Sequence, residues 1–93
     1  MVPDKIQPPT IVAQRPVVTD DVQLTVSTIR IAANCYETAI FDDSPEKRHT
    51  GTSIGGFLVD QSSKRAPDRE AAMDLHREAL IAARTEQPVG GAS

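Results

Sequence analysis

The chain has few aromatic residues and no excess of positive charge. Tyr36, Phe41 and Phe57 are the only aromatic residues among 93, too few to form a stacking platform for single-stranded nucleic acid. Ten Lys and Arg against 13 Asp and Glu leave a net charge of -3, which offers no long-range attraction for a phosphate backbone or an anionic membrane. We therefore expect neither nucleic acid nor a membrane among the binding partners.

Cysteine and histidine are equally scarce. Cys35 is the single cysteine, which excludes an intrachain disulfide, and the two histidines, His49 and His76, lack zinc-ligand spacing. We expect no cofactor. The sequence also contains no apolar run of signal-peptide type and no stretch near the roughly 18 apolar residues that span a bilayer. The expected location is the cytoplasm or a particle assembled there.

Prolines and glycines separate both ends from a central domain. Residues 1–21 contain four prolines, which exclude a helix and a central strand and predict an extended arm. A disordered tail and docking onto a partner surface both remain open for this arm. Residues 86–93 include Pro88, Gly90 and Gly91 and are predicted to be a flexible tail. One small domain remains, residues 22–85.

The first half of this domain has the pattern of β-strands. Residues 22–33, VQLTVSTIRIAA, alternate apolar and polar positions with one shift of phase, which predicts a strand with a bulge. After the turn residue Asn34, residues 35–43, CYETAIFDD, predict a second strand that forms an antiparallel hairpin with the first. A long loop leads to a third predicted strand, GGFLVDQ at residues 55–61. The expected sheet therefore has three strands.

The second half has the pattern of one amphipathic helix, from about residue 68 to residue 85. Apolar residues and one histidine recur at the spacing of a single buried stripe: Ala72, Leu75, His76, Ala79, Leu80 and Ala83. Asp68 suits the first turn of a helix. The predicted fold is α+β, in the order β-β-β-α, with the helix packed across one face of the sheet.

One carboxylate stands out in the second strand. On a two-residue period Glu37 shares a side with Cys35, Ala39 and Phe41, and the apolar content of that side favours it as the inner one. Because His76 lies in the buried stripe of the helix, we expect the carboxylate and the imidazole to meet and to satisfy each other. The candidate site comprises this pair with the neighbouring Tyr36 and Thr38. A structural pair, no contact at all, and a general base with its orienting partner remain open.

Two further positions are candidate contact surfaces. Lys47, Arg48 and His49 form a short basic patch in the long loop, and Ile81 is an apolar residue within the polar side of the helix. A solvated loop and a singly exposed side chain are the simpler interpretations.

Three short motifs together resemble a family of small proteins encoded by phages of actinobacteria. They are VSTI at residues 26–29, YETAIF at residues 36–41 and REAAMDLHREAL at residues 69–80, with an FLVD strand between the last two. The resemblance covers roughly residues 22–83 and implies phage origin, small size and no particular activity. It is carried by Ser27, Thr28, Glu37, Thr38, Phe41, Glu70, Ala71 and His76. The sequence departs from the family pattern in the helix, where the histidine follows Glu70 by six residues.

Two functions are compatible with these features, and neither is enzymatic. The first is a phage accessory protein that binds a host factor or a small ligand, in the host cytoplasm. The second is a virion component, a decoration or cement protein, whose arm contacts neighbouring subunits. A hydrolytic enzyme would rest on Glu37 and His76 alone. Because a domain of this size is near the lower limit of independent stability, we also expect self-association into a homo-oligomer.

Overall fold

The computed structural model describes residues 10–19 and 22–85. These residues form six strands and one helix, an α+β fold whose antiparallel sheet and C-terminal helix confirm the predicted fold class. The elements are β1 (Thr10–Val18), β2 (Gln23–Ala32), β3 (Cys35–Asp42), β4 (Ser53–Ile54), β5 (Phe57–Leu58), β6 (Ser63–Ala66) and α1 (Arg69–Thr85). Over the described ranges no helix combines the length and the apolar character needed to cross a membrane.

The β2–β3 hairpin forms the centre of the sheet. Its antiparallel register pairs Leu24 with Asp42 and Ile29 with Glu37, and the bulge lies between Arg30 and Ala32. The bulge is therefore further along the strand than the change of phase after Val26 suggested. As a consequence Thr28 stays on the same side as Val26, and Ile29 lies on the opposite side.

The sheet has four strands in the order β1-β2-β3-β6, and the predicted three-stranded arrangement is wrong in two places. Residues 55–61 do not extend the sheet, because Gly55 and Gly56 both have positive φ angles and make a tight turn that pairs β4 with β5. The position beside β3 is taken by β6 instead. Its sequence, SKRA, has no apolar alternation by which it could have been recognised.

The fourth strand comes from the predicted arm. Residues 10–18 pair with β2 in an antiparallel register that is interrupted by a bulge between Ile11 and Ala13. Pro16 is compatible with this strand because β1 lies at the edge of the sheet, where one missing N–H is tolerated. The rest of the predicted arm, residues 1–9 and 20–21, and the predicted tail, residues 86–93, lie outside the described residues.

The helix covers one face of the sheet, as predicted. Asp68 caps its first turn by accepting a hydrogen bond from the backbone N–H of Ala71, 2.8 Å away. The helix side of the core is built from small residues, since Ala72, Ala79, Ala82 and Ala83 are all buried. Alanines allow α1 to lie close to the larger side chains of the sheet and of the β4–β5 turn: Leu24, Val26, Ile40, Ile54, Phe57 and Val59.

Candidate functional site

The two sides of β3 differ from the prediction. The residues that face α1 are buried: Tyr36, Thr38, Ile40 and Asp42. The residues of the other side are half-buried or exposed: Cys35, Glu37, Ala39 and Phe41. The prediction took the more apolar side of the strand as the inner one. The polar side chains on the observed inner side are hydrogen-bonded within the core, which removes the penalty for their burial.

His76 lies in the core between α1 and the sheet, where it is only 4% exposed. Its Nδ1 is hydrogen-bonded to Oγ1 of Thr28 at 2.9 Å, and that hydroxyl is bonded in turn to Oγ1 of Thr38 at 2.7 Å. Nδ1 of the imidazole is therefore paired with Thr28, and Thr38 is paired with the Thr28 hydroxyl, so the predicted pairing of His76 with Glu37 is wrong. Burial lowers the pKa of His76 below its ordinary value of 6.5, and the positive charge of Arg15 lowers it further.

Tyr36 contributes to a second part of the core. It is buried with Ala66 and Ala72, and the half-buried Val12 and Leu75 pack against them. Of the four predicted site residues, the structure thus places Tyr36, Thr38 and His76 on the helix-covered side of the sheet. Glu37 lies on the other side.

Glu37 has a cross-strand partner on the open face of the sheet. Its Oε2 accepts a hydrogen bond from Nε of Arg65, 2.9 Å away, and the two residues are directly opposite in the β3–β6 register. The side chain of Glu37 is 24% exposed, against 71% for that of Arg65. Oε1 of Glu37 accepts no hydrogen bond from any described residue, so one acceptor remains available.

Beside Glu37 the open face contains a groove of about 270 Å³. Its floor is formed by β2 and β3, and its wall by the turn that leads from β5 into β6. The lining residues are Ser27, Ile29, Glu37, Ala39, Phe41 and residues 60–63. The groove is predominantly apolar, with a half-buried carboxylate at its border, which is the usual composition of a binding site.

A buried carboxylate anchors the loop next to this groove. Asp42 is fully buried and accepts hydrogen bonds from the backbone N–H of Ser44 at 2.8 Å and from that of His49 at 2.9 Å, as well as from the Ser44 hydroxyl. Burial raises the pKa of Asp42, but these hydrogen bonds and the charge of His49 outweigh it, so that the pKa lies below its ordinary value of 3.8. Asp60, at φ 63°, accepts from the backbone N–H of Asp42 and from the Thr50 hydroxyl.

The sequence interpretation missed Asp42 and Asp60. The signal for Asp42 was the Asp-Asp-Ser sequence at residues 42–44, because an Asp that accepts from the backbone two residues later is a common turn motif. Asp60 had no such signal, since its partners Asp42 and Thr50 are distant in the chain. Both residues hold the loop between β3 and β4, and Asp60 also lines the groove.

The predicted contact surfaces are only partly at the surface. Lys47 and Arg48 are exposed, and Arg48 forms an ion pair with Glu46, whereas His49 is buried and does not belong to a surface patch. Ile81 on α1 is 60% exposed. The role of these residues as a contact surface stays a prediction.

Neither a search for metal-binding clusters nor comparison with known proteins assigns a function to this site. Within residues 10–19 and 22–85, no three His, Cys, Asp or Glu side chains are arranged to hold a metal ion. Comparison of the chain with known protein families, with curated proteins and with solved structures finds no match.

Proposed function

We propose that this chain is a phage accessory protein without enzymatic activity, which binds a protein partner through the open face of its sheet. The observation that carries the proposal is the apolar character of that face. α1 covers one side of the sheet, and on the other side Ile11, Val18 and Phe41 are 61%, 66% and 41% exposed. The register places Ile11 opposite Ile29, and Phe41 is on the same side of β3 as Ala39, so this uncovered face has apolar surface that a partner can cover.

The placement of the ionisable groups supports binding over catalysis. A general base needs an orienting partner and access to a substrate. Glu37 borders the groove but is paired with Arg65, and His76 is buried on the opposite side of the sheet with two threonine hydroxyls. The pair on which a hydrolytic enzyme would depend is therefore separated by the sheet.

The alternative of a virion component depended on an arm that reaches neighbouring subunits. Residues 10–18, which form the second half of that arm, pair with β2 of the same chain. A shorter segment is left for contacts with other subunits, and this favours the accessory role.

A comparison of infected cells with purified particles tests the proposal. We expect the protein in the lysate and not in the particles, and we expect a host protein to be recovered with it. Phe41→Asp should abolish that recovery, because it places a charge in the apolar face, whereas Ile81→Asp, on the exposed side of α1, should not. High copy number in purified particles would favour the virion role. Equal recovery with both variants would refute the open face as the binding surface.

A further inference from the structure

The size of the groove on the open face limits what it can hold. Drug-sized ligands and cofactors occupy pockets of roughly 300–1,000 Å³, and this groove, at about 270 Å³, is at the small end of that scale. It has room for one large side chain of a partner. Ile29, Ala39 and Phe41 provide an apolar surface for such a side chain, and the turn at residues 60–63 encloses it from one side.

Charge is distributed unequally between the two faces of the sheet. Arg15, Arg30 and Lys64 lie on the side of α1, as their register partners Val26, Tyr36 and Thr38 are all buried there. The position of Lys64 is also fixed by its ammonium group, which lies 4.5 Å from the centre of the Phe57 ring. Among the described strand residues, Arg65 thus has the one positively charged side chain on the open face.

Around the groove, carboxylates outnumber positively charged side chains. Glu37 and Asp60 line it. Asp43 is held beside it through a hydrogen bond from Thr25, whose register partner is Phe41. The residues that line the groove include two carboxylates and no Lys or Arg, which makes the groove electrostatically complementary to a cation.

One carboxylate oxygen is suitably placed to receive a cation. Oε1 of Glu37 accepts no hydrogen bond from the described residues, while Oε2 is bonded to Arg65. Because the guanidinium side chain is 71% exposed, its ion pair is weak and does not prevent a second cation from approaching. The apolar floor and the available acceptor are adjacent in the same groove.

We infer that the groove binds a protein segment in which one large apolar side chain is next to a lysine or an arginine. The apolar side chain occupies the groove against Ile29 and Phe41, and the cation reaches Oε1 of Glu37. This inference rests on the proposed function, since it names the chemistry of the partner at the same face.

Three capped dipeptides test the two parts of this chemistry: N-acetyl-Phe-Lys-amide, N-acetyl-Phe-Glu-amide and N-acetyl-Ala-Lys-amide. Each is titrated into the isotope-labelled full chain, and amide chemical shifts are followed by NMR. We expect the Phe-Lys probe to shift the amides of residues 27–29, 37–41 and 60–63, and to bind about two- to five-fold more tightly than either of the others. Glu37→Gln should remove most of the preference for Phe-Lys over Phe-Glu, whereas Glu78→Gln, an exposed glutamate on α1, should leave it unchanged.

The inference is overturned if all three probes bind alike, if the shifts lie on another surface, or if Glu37→Gln leaves the preference intact. Its failure is distinguishable from failure of the proposed function. If the probes fail but partner recovery still depends on Phe41, the open face binds a partner of different chemistry. If recovery does not depend on Phe41, the proposed function itself is wrong.

Discussion

At the scale of single residues, Asp42 shows how a buried charge can hold a loop in place. Its carboxylate accepts hydrogen bonds from the Ser44 backbone, the Ser44 hydroxyl and the His49 backbone. Hydrogen bonds from neutral donors replace the water that the carboxylate loses on burial. The residue thus connects the end of β3 to the loop near the groove.

Replacing Asp42 with Asn should destabilise the protein by about 1–3 kcal/mol. The amide nitrogen of Asn would face a backbone N–H that now donates to the carboxylate, so one buried donor would lose its acceptor. Asp43→Asn is the matched control, because Asp43 is exposed and its loss should change stability by about 0.5 kcal/mol or less. Urea unfolding of both variants measures the difference. Equal losses would mean that the buried contacts do not determine the stability of this loop.

The His76 contacts can be tested with double-mutant cycles. Thr28→Val keeps the shape of the side chain but removes its hydrogen bonds to His76 and Thr38, so we expect a loss of about 1–2 kcal/mol. When Thr28→Val is combined with His76→Leu, the coupling energy between the two substitutions should be about 1 kcal/mol, since Thr28 and His76 are in contact. Glu37→Ala with His76→Leu should be additive within about 0.5 kcal/mol, because the sheet separates them. Coupling between Glu37 and His76 would contradict the structure.

At the scale of secondary-structure elements, the packing of α1 on the sheet depends on the ionisation of His76. Because its pKa is lowered in the folded state, the unfolded chain binds a proton at higher pH than the native protein does. Stability should therefore decrease as the pH falls below the ordinary histidine pKa of about 6.5, until the native pKa is passed. His76→Leu should remove this part of the pH dependence, as measured by thermal melting at a series of pH values.

The contribution of Asp42 to stability is lost in a different pH range. It is lost only below about pH 3.8, as the pH falls through the native pKa of that carboxyl.

The β4–β5 turn contacts α1 through a glycine. A Cβ atom on Gly55 would lie 2.5 Å from Cβ of Ala82, and the φ angle of +58° is itself unfavourable for other residues. Gly55→Ala should therefore destabilise by about 2–4 kcal/mol, from backbone strain together with overpacking against the helix. Gly56→Ala is the control, because it has a similar φ of +84° but its Cβ would meet only the flexible end of Lys64. Equal melting temperatures for the two variants would show that the contact with Ala82 is unimportant.

Elements with periodic apolar residues could be predicted from the sequence, and elements without them could not. The β2–β3 hairpin and α1 have such patterns and were predicted close to their observed bounds. β6, SKRA, has none, and β1 contains Pro16, which is compatible with a strand only at an edge. The inner side of β3 was mistaken because Thr38 is buried through a hydrogen bond with Thr28 of the neighbouring strand, and Asp42 through hydrogen bonds with the loop that follows β3. The sequence identified Glu37 as unusual but could not identify its partner Arg65, which is 28 residues away in the chain.

At the scale of the whole molecule, the open face is also the best candidate for the predicted self-association. The free edge of β1 is poorly suited to pairing with another chain, since Pro16 lacks an N–H and Arg15 adds a charge. Four strands about 4.8 Å apart and about eight residues long present a face of roughly 500 Å². Two such faces together bury about 1,000 Å², at the lower end of the range for specific interfaces. A dimer of this kind should be weak, because its area is small and the carboxylates of the two grooves repel each other, so the face would remain accessible to a partner.

We therefore expect the protein to dimerise reversibly at high concentration through Phe41 and its apolar neighbours. Phe41→Asp should shift sedimentation equilibrium towards the monomer, because each open face would bring a charge into an apolar contact without a partner for it. Ile81→Asp should leave the association unchanged, because Ile81 is exposed on α1, away from this face. The N-acetyl-Phe-Lys-amide probe should also favour the monomer, since it occupies the groove within the same face. A monomer at all concentrations would refute self-association, and a dimer insensitive to Phe41→Asp would assign it to another surface.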